Sequence, residues 1–155
     1  MKIVLDEFDY KILKILCNNS RLSYAEIGRK ISLSQSATKE RILNLIDLEV
    51  IKNFSIGIDF EKLGYGLKVL ISLKFKNDDF RKFIADLPKF PEVMTCKRIT
   101  GEFCLITECI LKDSSHLENL IDRLIPYGTP TTSIQLSEVR IENLFDHFTA
   151  ASNKR

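Results

Sequence analysis

Long apolar runs, paired cysteines, histidines and charge of one sign are what this chain of 155 residues has least of. No uninterrupted apolar stretch approaches the about 18 residues that a membrane-crossing helix needs. The early acids Asp6, Glu7 and Asp9 are unlike the basic start of a secretion signal, so a soluble, cytoplasmic protein is expected. The cysteines Cys17, Cys96, Cys104 and Cys109 show no C-x-x-C spacing and sit in apolar surroundings, which predicts reduced core thiols rather than disulfides. With His116 and His147 the only histidines, no ligand set for a metal assembles, and neither a metal nor another cofactor is expected. The net charge of +2 gives little support for nucleic-acid binding through the overall field.

What is present is a hydrophobic content of 45%, enough for a genuine core, and one organising stretch from Ser23 to Leu48. Ser23 and Glu26 make a capping box, and Ala25, Ile27 and Ile31 give a short helix one apolar face. Ser34 then caps a second helix. Thr38, Ile42, Leu45 and Ile46 form its inner side, while Gln35, Ser36, Lys39, Glu40 and Asn44 face outward. Two helices around so short a turn make a helix-turn-helix, which presents the first turn of its second helix to the DNA major groove. An ordinary helical hairpin is the alternative. Small residues at Ser34, Ser36 and Ala37 allow close approach, Gln35 suits an adenine edge, and Lys39 reaches a base or phosphate. From Arg21 to Lys52 there are six basic and four acidic residues, a modest positive patch that needs help from oligomerisation.

In chain order, Asp6 caps a helix through about Asn18 carrying Phe8, Ile12, Ile15 and Leu16. Val50 to Ile58 reads as a linker strand or wing with Ile51, Phe54, Ile56 and Ile58 inside, and a hinge is expected over 59–66. The expected domains are therefore 1–58, a helix-turn-helix with its linker strand, and 67–155. From Leu67 the period changes to two: Leu67, Val69, Ile71, Leu73 and Phe75 alternate with Lys68, Ser72, Lys74 and Lys76. A helix over Asp78 to Leu87, strands over Val93 to Thr100 and Cys104 to Leu111 joined by a tight Gly101-Glu102-Phe103 hairpin, a helix over Asp113 to Ile125, and a strand over Thr131 to Val139 follow. That order predicts an α+β chain whose second domain is a ferredoxin-like βαββαβ module. Ile141, Leu144, Phe145 and Phe148 suit a short helix or an edge strand equally.

The chain resembles transcription regulators of the leucine-responsive regulatory protein and AsnC family, the feast/famine regulators. The resemblance spans nearly its whole length. Its marks are Leu5-Asp6-x-x-Asp9-x-x-Ile12-Leu13, Asn19-x-Arg21-x-Ser23, Leu33-Ser34, Arg41-Ile42-x-x-Leu45, Val50-Ile51, Asp59-x-x-Lys62-Leu63-Gly64-Tyr65, Gly101-Glu102-Phe103 and Thr131-x-Ser133-Ile134. The resemblance implies a winged helix-turn-helix joined to a module that dimerises, often assembles dimers into octamers, and binds an amino-acid effector between dimers. On this basis Arg21, Ser34, Gln35, Ser36, Ala37, Lys39, Glu40 and Arg41 are candidate DNA contacts, and Thr100, Gly101, Glu102, Phe103 and Cys104 are candidate effector contacts.

Departures from the family pattern are informative. Cys104 stands where an aspartate is common, Glu40 and Asn44 where basic residues are frequent, and Glu49 where glycine is usual. Two rival functions follow: a regulator or architectural DNA-binding protein that takes no effector, and an enzyme like the siroheme decarboxylases, which share this architecture. The second is disfavoured because the loop lacks a histidine and neither Arg98 nor His116 shows a partner in the sequence. No catalytic residue is expected.

Overall fold

Side chains that hydrogen-bond the free N–H groups of a first turn decide where the amino-terminal helices begin. The computed structural model describes residues 3–75 and 79–139. Asp6 accepts from the Asp9 N–H while Asp9 accepts from the Asp6 N–H, opening α1 (Glu7–Asn18). Ser23 and Glu26 form the same reciprocal pair for α2 (Tyr24–Ile31), and Ser34 accepts from the Ala37 N–H to open α3 (Gln35–Asp47). Ile12, Ile27, Ile31, Ile42 and Leu45 close into one core. Ile46, expected inside, is exposed at the rim, because the stripe of α3 is only wide enough to cover Thr38, Ile42 and Leu45.

Two left-handed residues shape the ends of these helices. Ser32 (φ 60°) follows α2, and the Leu33 N–H returns to the Gly28 carbonyl at 2.9 Å. A Cβ at Gly28 would stand 2.5 Å from the Leu33 carbonyl oxygen and 2.9 Å from Thr38 Oγ1, so the turn closes over a position that has no room for a side chain. After α3, Glu49 (φ 55°) sends its N–H to Ile46 while the Val50 N–H bonds Leu45, the paired bonds that close a helix around a left-handed residue. Glu49 holds this conformation without a glycine's freedom, at a cost of about 1 kcal/mol.

The expected strand over Val50 to Ile58 is not formed. Ile51 is half-buried, but Phe54, Ile56 and Ile58 are exposed. Apolar alternation makes a strand only beside a partner, and no described strand pairs with this segment. The chain divides into two compact units between Gly57 and Ile58. Residues 59–66, expected as the hinge, contain a 3-10 turn at Glu61–Leu63 followed by Gly64 at φ 85°.

The second unit runs β1 (Leu67–Phe75), α4 (Asp79–Asp86), a 3-10 turn at Leu87–Lys89, β2 (Val93–Arg98), β3 (Leu105–Leu111), α5 (Ser114–Leu124) and β4 (Gly128–Ile134). The strands lie antiparallel in the order β2-β3-β1-β4, the ferredoxin-like arrangement. Val69, Ile71 and Leu73 of β1 and Leu105, Cys109 and Leu111 of β3 pack with Phe83 of α4, Phe90, and Leu120 and Leu124 of α5. Both helices thus cover one face of the sheet. Period two then places Lys68, Leu70, Ser72, Ile106, Glu108 and Ile110 on the other face, where no described element covers them.

Several boundaries differ from expectation. The last strand is Gly128–Ile134, not Thr131 to Val139; Leu136 and Val139 are almost fully exposed. Its start is set by Gly128, whose missing side chain lets the backbone press against the Lys74 carbonyl. β2 ends early and β3 begins late, so the hairpin connection is the six residues 99–104 rather than a tight turn. The thiols are not all core groups: Cys109 is buried, Cys96 half-buried, and Cys17 and Cys104 exposed, since apolar neighbours do not decide which face a thiol takes. The alternation at Lys76, the helix start at Asp78 and the Ile141 to Phe148 segment lie outside the described residues.

Candidate nucleic-acid interface

The first turn of α3 carries the residues expected to meet DNA. Ser34 caps the helix, its hydroxyl 3.1 Å from that of Ser36, while Gln35, Ser36, Lys39 and Glu40 are exposed and Ala37 is half-buried. Beneath them Thr38 is fully buried and donates from Oγ1 to the Ser34 carbonyl at 2.8 Å, fixing the cap against the helix. The exposed turn has no aspartate or glutamate among its first residues, so the positive end of the helix faces outward unneutralised. Arg21 is exposed too, with its backbone N–H held by Asn19 Oδ1.

Arg41 behaves differently from its neighbours. Its Nη1 lies 2.7 Å from Asp6 Oδ2 and 2.8 Å from Asp9 Oδ1, and the guanidinium stacks over Phe8 at 5.4 Å. Arg41 therefore ties α3 to the start of α1. Burial pulls the Arg41 pKa down, but the two carboxylates outweigh it and hold the group above its ordinary value. Burial likewise pushes the Asp6 carboxyl up, and the Asp9 N–H and Arg41 more than reverse it. With a depressed folded pKa, the Asp6 contribution is complete above pH 3.8 and is lost as pH falls through the folded value. Arg41→Ala should lower the stability of this unit by about 1 to 2 kcal/mol, the pair being only partly buried. A melt followed by helical circular dichroism checks it; an unchanged melt with a weaker DNA complex would assign Arg41 to DNA instead.

The other group of expected site residues lies on the 99–104 loop. Its ends are tied by Ile99 N–H to the Cys104 carbonyl (3.1 Å) and Cys104 N–H to the Leu73 carbonyl (3.0 Å). Thr100, Gly101, Glu102 and Cys104 are exposed and Phe103 is half-buried; Glu102 makes a long ion pair of 3.9 Å with Lys74. Gly101 has φ 121°, and a Cβ there would meet no atom within 4 Å, so only the backbone conformation resists substitution.

Two partnerships were invisible in the sequence. His116, 24 residues from Glu92, brings Nε2 within 3.2 Å of Glu92 Oε1, and Arg123 donates to the same oxygen at 2.6 Å. Arg98 stacks over Phe80 at 4.8 Å. Both depend on the sheet and helices having closed, and no local spacing signals them.

Against known families, residues 5–46 match the AsnC-type helix-turn-helix domain and residues 68–144 the Lrp/AsnC ligand binding domain. Over 139 residues the chain is 31% identical to the HTH-type transcriptional regulator LrpC of Bacillus subtilis, covering 90% of this chain and 96% of that one. It is 35% identical over 122 residues to the HTH-type transcriptional regulator FL11 of Pyrococcus horikoshii, covering 79% and 81%. Among solved structures, Bacillus subtilis LrpC superposes with a TM-score of 0.84 at 30% identity, over 89% of this chain and 99% of that one. The transcriptional regulator NMB0573 from Neisseria meningitidis, in complex with L-Met, superposes at 0.85 and 25% identity, over 94% and 99%.

Proposed function

The chain belongs to the Lrp/AsnC family of transcriptional regulators, and from that premise we propose how it works: as a two-fold dimer that reads double-stranded DNA with the first turn of α3 and responds to an amino-acid-like effector at the 99–104 loop. It acts in the cytoplasm, where the chromosome is. Residues 1–58 serve DNA, 59–66 connect, and 67–155 assemble the subunits and receive the effector. The observation that carries this is the exposed first turn of α3, capped by Ser34 and free of acids, above a fully buried Thr38. Backbone N–H groups and Lys39 hold phosphate there, while Gln35 and Glu40 reach base edges, glutamine favouring adenine and glutamate the amino group of cytosine. Glu40 also repels phosphate, so this regulator depends more on base contacts than on general charge.

Lys39→Ala tests the assignment. If Lys39 neutralises one phosphate, affinity falls for all sequences and the salt slope drops by roughly one unit. If it contacts a base, preference relaxes at one position instead. Gel-shift titrations of Lys39→Ala and Gln35→Ala in which affinity, salt slope and sequence preference are all unchanged would remove α3 from the interface.

The open face of the sheet supports dimerisation. Leu70, Ile106 and Ile110 with Met94 make an apolar strip between Lys68, Lys97 and Glu108, and Lys97 and Glu108 already pair with each other at 2.7 Å. Further assembly of dimers to an octamer would bring the 99–104 loops against neighbouring subunits and complete a pocket that a single loop leaves open. The complex of the Neisseria meningitidis regulator with L-Met supports an amino acid as the ligand class. Gly101→Val should cut the effector response at least about tenfold, since a β-branched residue resists φ 121° and would move the N–H groups offered to the ligand. Calorimetry showing wild-type affinity in this variant would put the effector elsewhere. Cys104 favours a second reading, a regulator without any effector, because it supplies no charge for an α-amine. A thermal-shift screen of the amino acids in which none raises the melting point would decide for it.

A further inference from the structure

The 99–104 loop offers hydrogen-bond donors and positive charge, and little that can receive an ammonium group. None of the N–H groups of Thr100, Gly101, Glu102 and Phe103 has an acceptor among the described residues, and Thr100 adds a hydroxyl. The loop is tied only at its ends, through the N–H groups of Ile99 and Cys104, so this run of donors is not consumed in closing the turn.

Two cations flank it. The bond from the Cys104 N–H to the Leu73 carbonyl sets Lys74, the next residue of β1, beside the end of the loop. Lys74 Nζ lies 3.9 Å from Glu102 Oε1, too long for a hydrogen bond, and both side chains are exposed. Arg98, which leads into the loop, stacks on Phe80 and has no carboxylate partner among the described residues. Against these cations the loop carries one acid, Glu102. Cys104, exposed and without a carboxylate, stands where the family pattern commonly has aspartate.

We propose that the effector taken at this loop is a 2-oxo acid, the counterpart of an amino acid with a carbonyl in place of the α-amine. The inference rests on the siting of the effector at the loop and narrows its chemical class. A 2-oxo acid brings only acceptors: two carboxylate oxygens and the α-carbonyl oxygen, which consecutive N–H groups and the Thr100 hydroxyl can serve. Donation to an ionised oxygen makes the stronger hydrogen bonds, and Lys74 adds its charge. An amino acid brings the same carboxylate together with an ammonium, a further donor and a further positive charge beside Lys74. Glu102 alone is left to accept it, and a donor without a partner is costly once a second subunit closes the site.

Calorimetry on the intact protein tests this with matched pairs: pyruvate and alanine, 4-methyl-2-oxopentanoate and leucine, 4-methylthio-2-oxobutanoate and methionine, phenylpyruvate and phenylalanine, 2-oxoglutarate and glutamate. At least one 2-oxo acid should bind saturably, at least about tenfold more tightly than its amino acid. Cys104→Asp, at an exposed position, returns an acceptor for the ammonium and should reverse that preference. Lys74→Gln should weaken the 2-oxo acid about three- to tenfold. The proposal is overturned if no 2-oxo acid of the set binds at millimolar concentration, or if folded Cys104→Asp keeps the wild-type preference. An amino acid that binds at least as tightly as its 2-oxo counterpart, with the binding lost in Gly101→Val, overturns the ligand class and leaves the loop as the site. A 2-oxo acid that binds equally well to the wild-type protein, folded Gly101→Val and Lys74→Gln overturns the siting and the proposal with it.

Discussion

Leu70→Glu should leave a folded monomer that binds operator DNA about 10² to 10⁴ times more weakly than the wild-type protein. The side chain stands in β1 on the face opposite the helices, with Glu108 across from it in β3 and Ser133 in β4. Its neighbours Val69 and Ile71 point into the core and are untouched, so the unit should keep its fold. In the proposed dimer the new carboxylate would be buried without a partner, beside Glu108, at a cost of several kcal/mol. Two linked helix-turn-helix units gain from each other because the second binding step is intramolecular, and a monomer forfeits that gain. Sedimentation and gel shift should change together. A dimer that persists with unchanged DNA affinity would show that the subunits meet on another surface.

Gly28→Val should abolish DNA binding by unfolding the first unit alone. The new Cβ would meet a backbone carbonyl, that of Leu33, which cannot swing away as the end of a flexible side chain can. It would also press on Thr38 Oγ1, whose bond to the Ser34 carbonyl fixes the cap of α3. Overpacking of this kind costs about 1 to 3 kcal/mol or more, and the valine branch adds to it. A unit this small has only a few kcal/mol in hand. The core of Val69, Ile71, Leu73 and Phe83 shares no residue with that of Ile12, Ile27 and Ile42, so the second unit should melt as before. Calorimetry should lose one transition and keep the other; a variant that retains both transitions and binds DNA would show that the turn can open to admit a side chain.

What could be read from the sequence was what local chemistry decides. Asp6, Ser23, Ser34 and Asp113 announce helix starts because a cap is satisfied within three residues. The change of period at Leu67 announces β1 because one face must be buried. The exposed turn of α3 was legible for the same reason, and so was the family, whose marks lie at such positions. The rest depends on closure in space. Arg41 reads as one more base on an outward helix until α1 brings Asp6 and Asp9 to it. Phe54, Ile56 and Ile58 look like core until no strand arrives beside them. Glu92, His116 and Arg123 meet only after the sheet, its connections and α5 are in place. The last strand begins at Gly128, ahead of the expected Thr131, because β1 needs a backbone without a side chain close to it there.

Among the described strands the order β2-β3-β1-β4 leaves β2 and β4 as the rims of the sheet, and an unpaired rim is a template on which another chain can add itself into a fibre. Both rims are blunted. β2 carries a register shift between Val93 and Thr95 and ends in Lys97 and Arg98. On β4, Pro130 stands opposite Leu73, whose carbonyl is turned toward β3 to receive Cys104; that parity points the Pro130 nitrogen outward, where it has no hydrogen to offer. If the chain dimerises through the open face as proposed, such rims would discourage runaway edge-to-edge growth and leave the broad apolar face for self-recognition in countable assemblies.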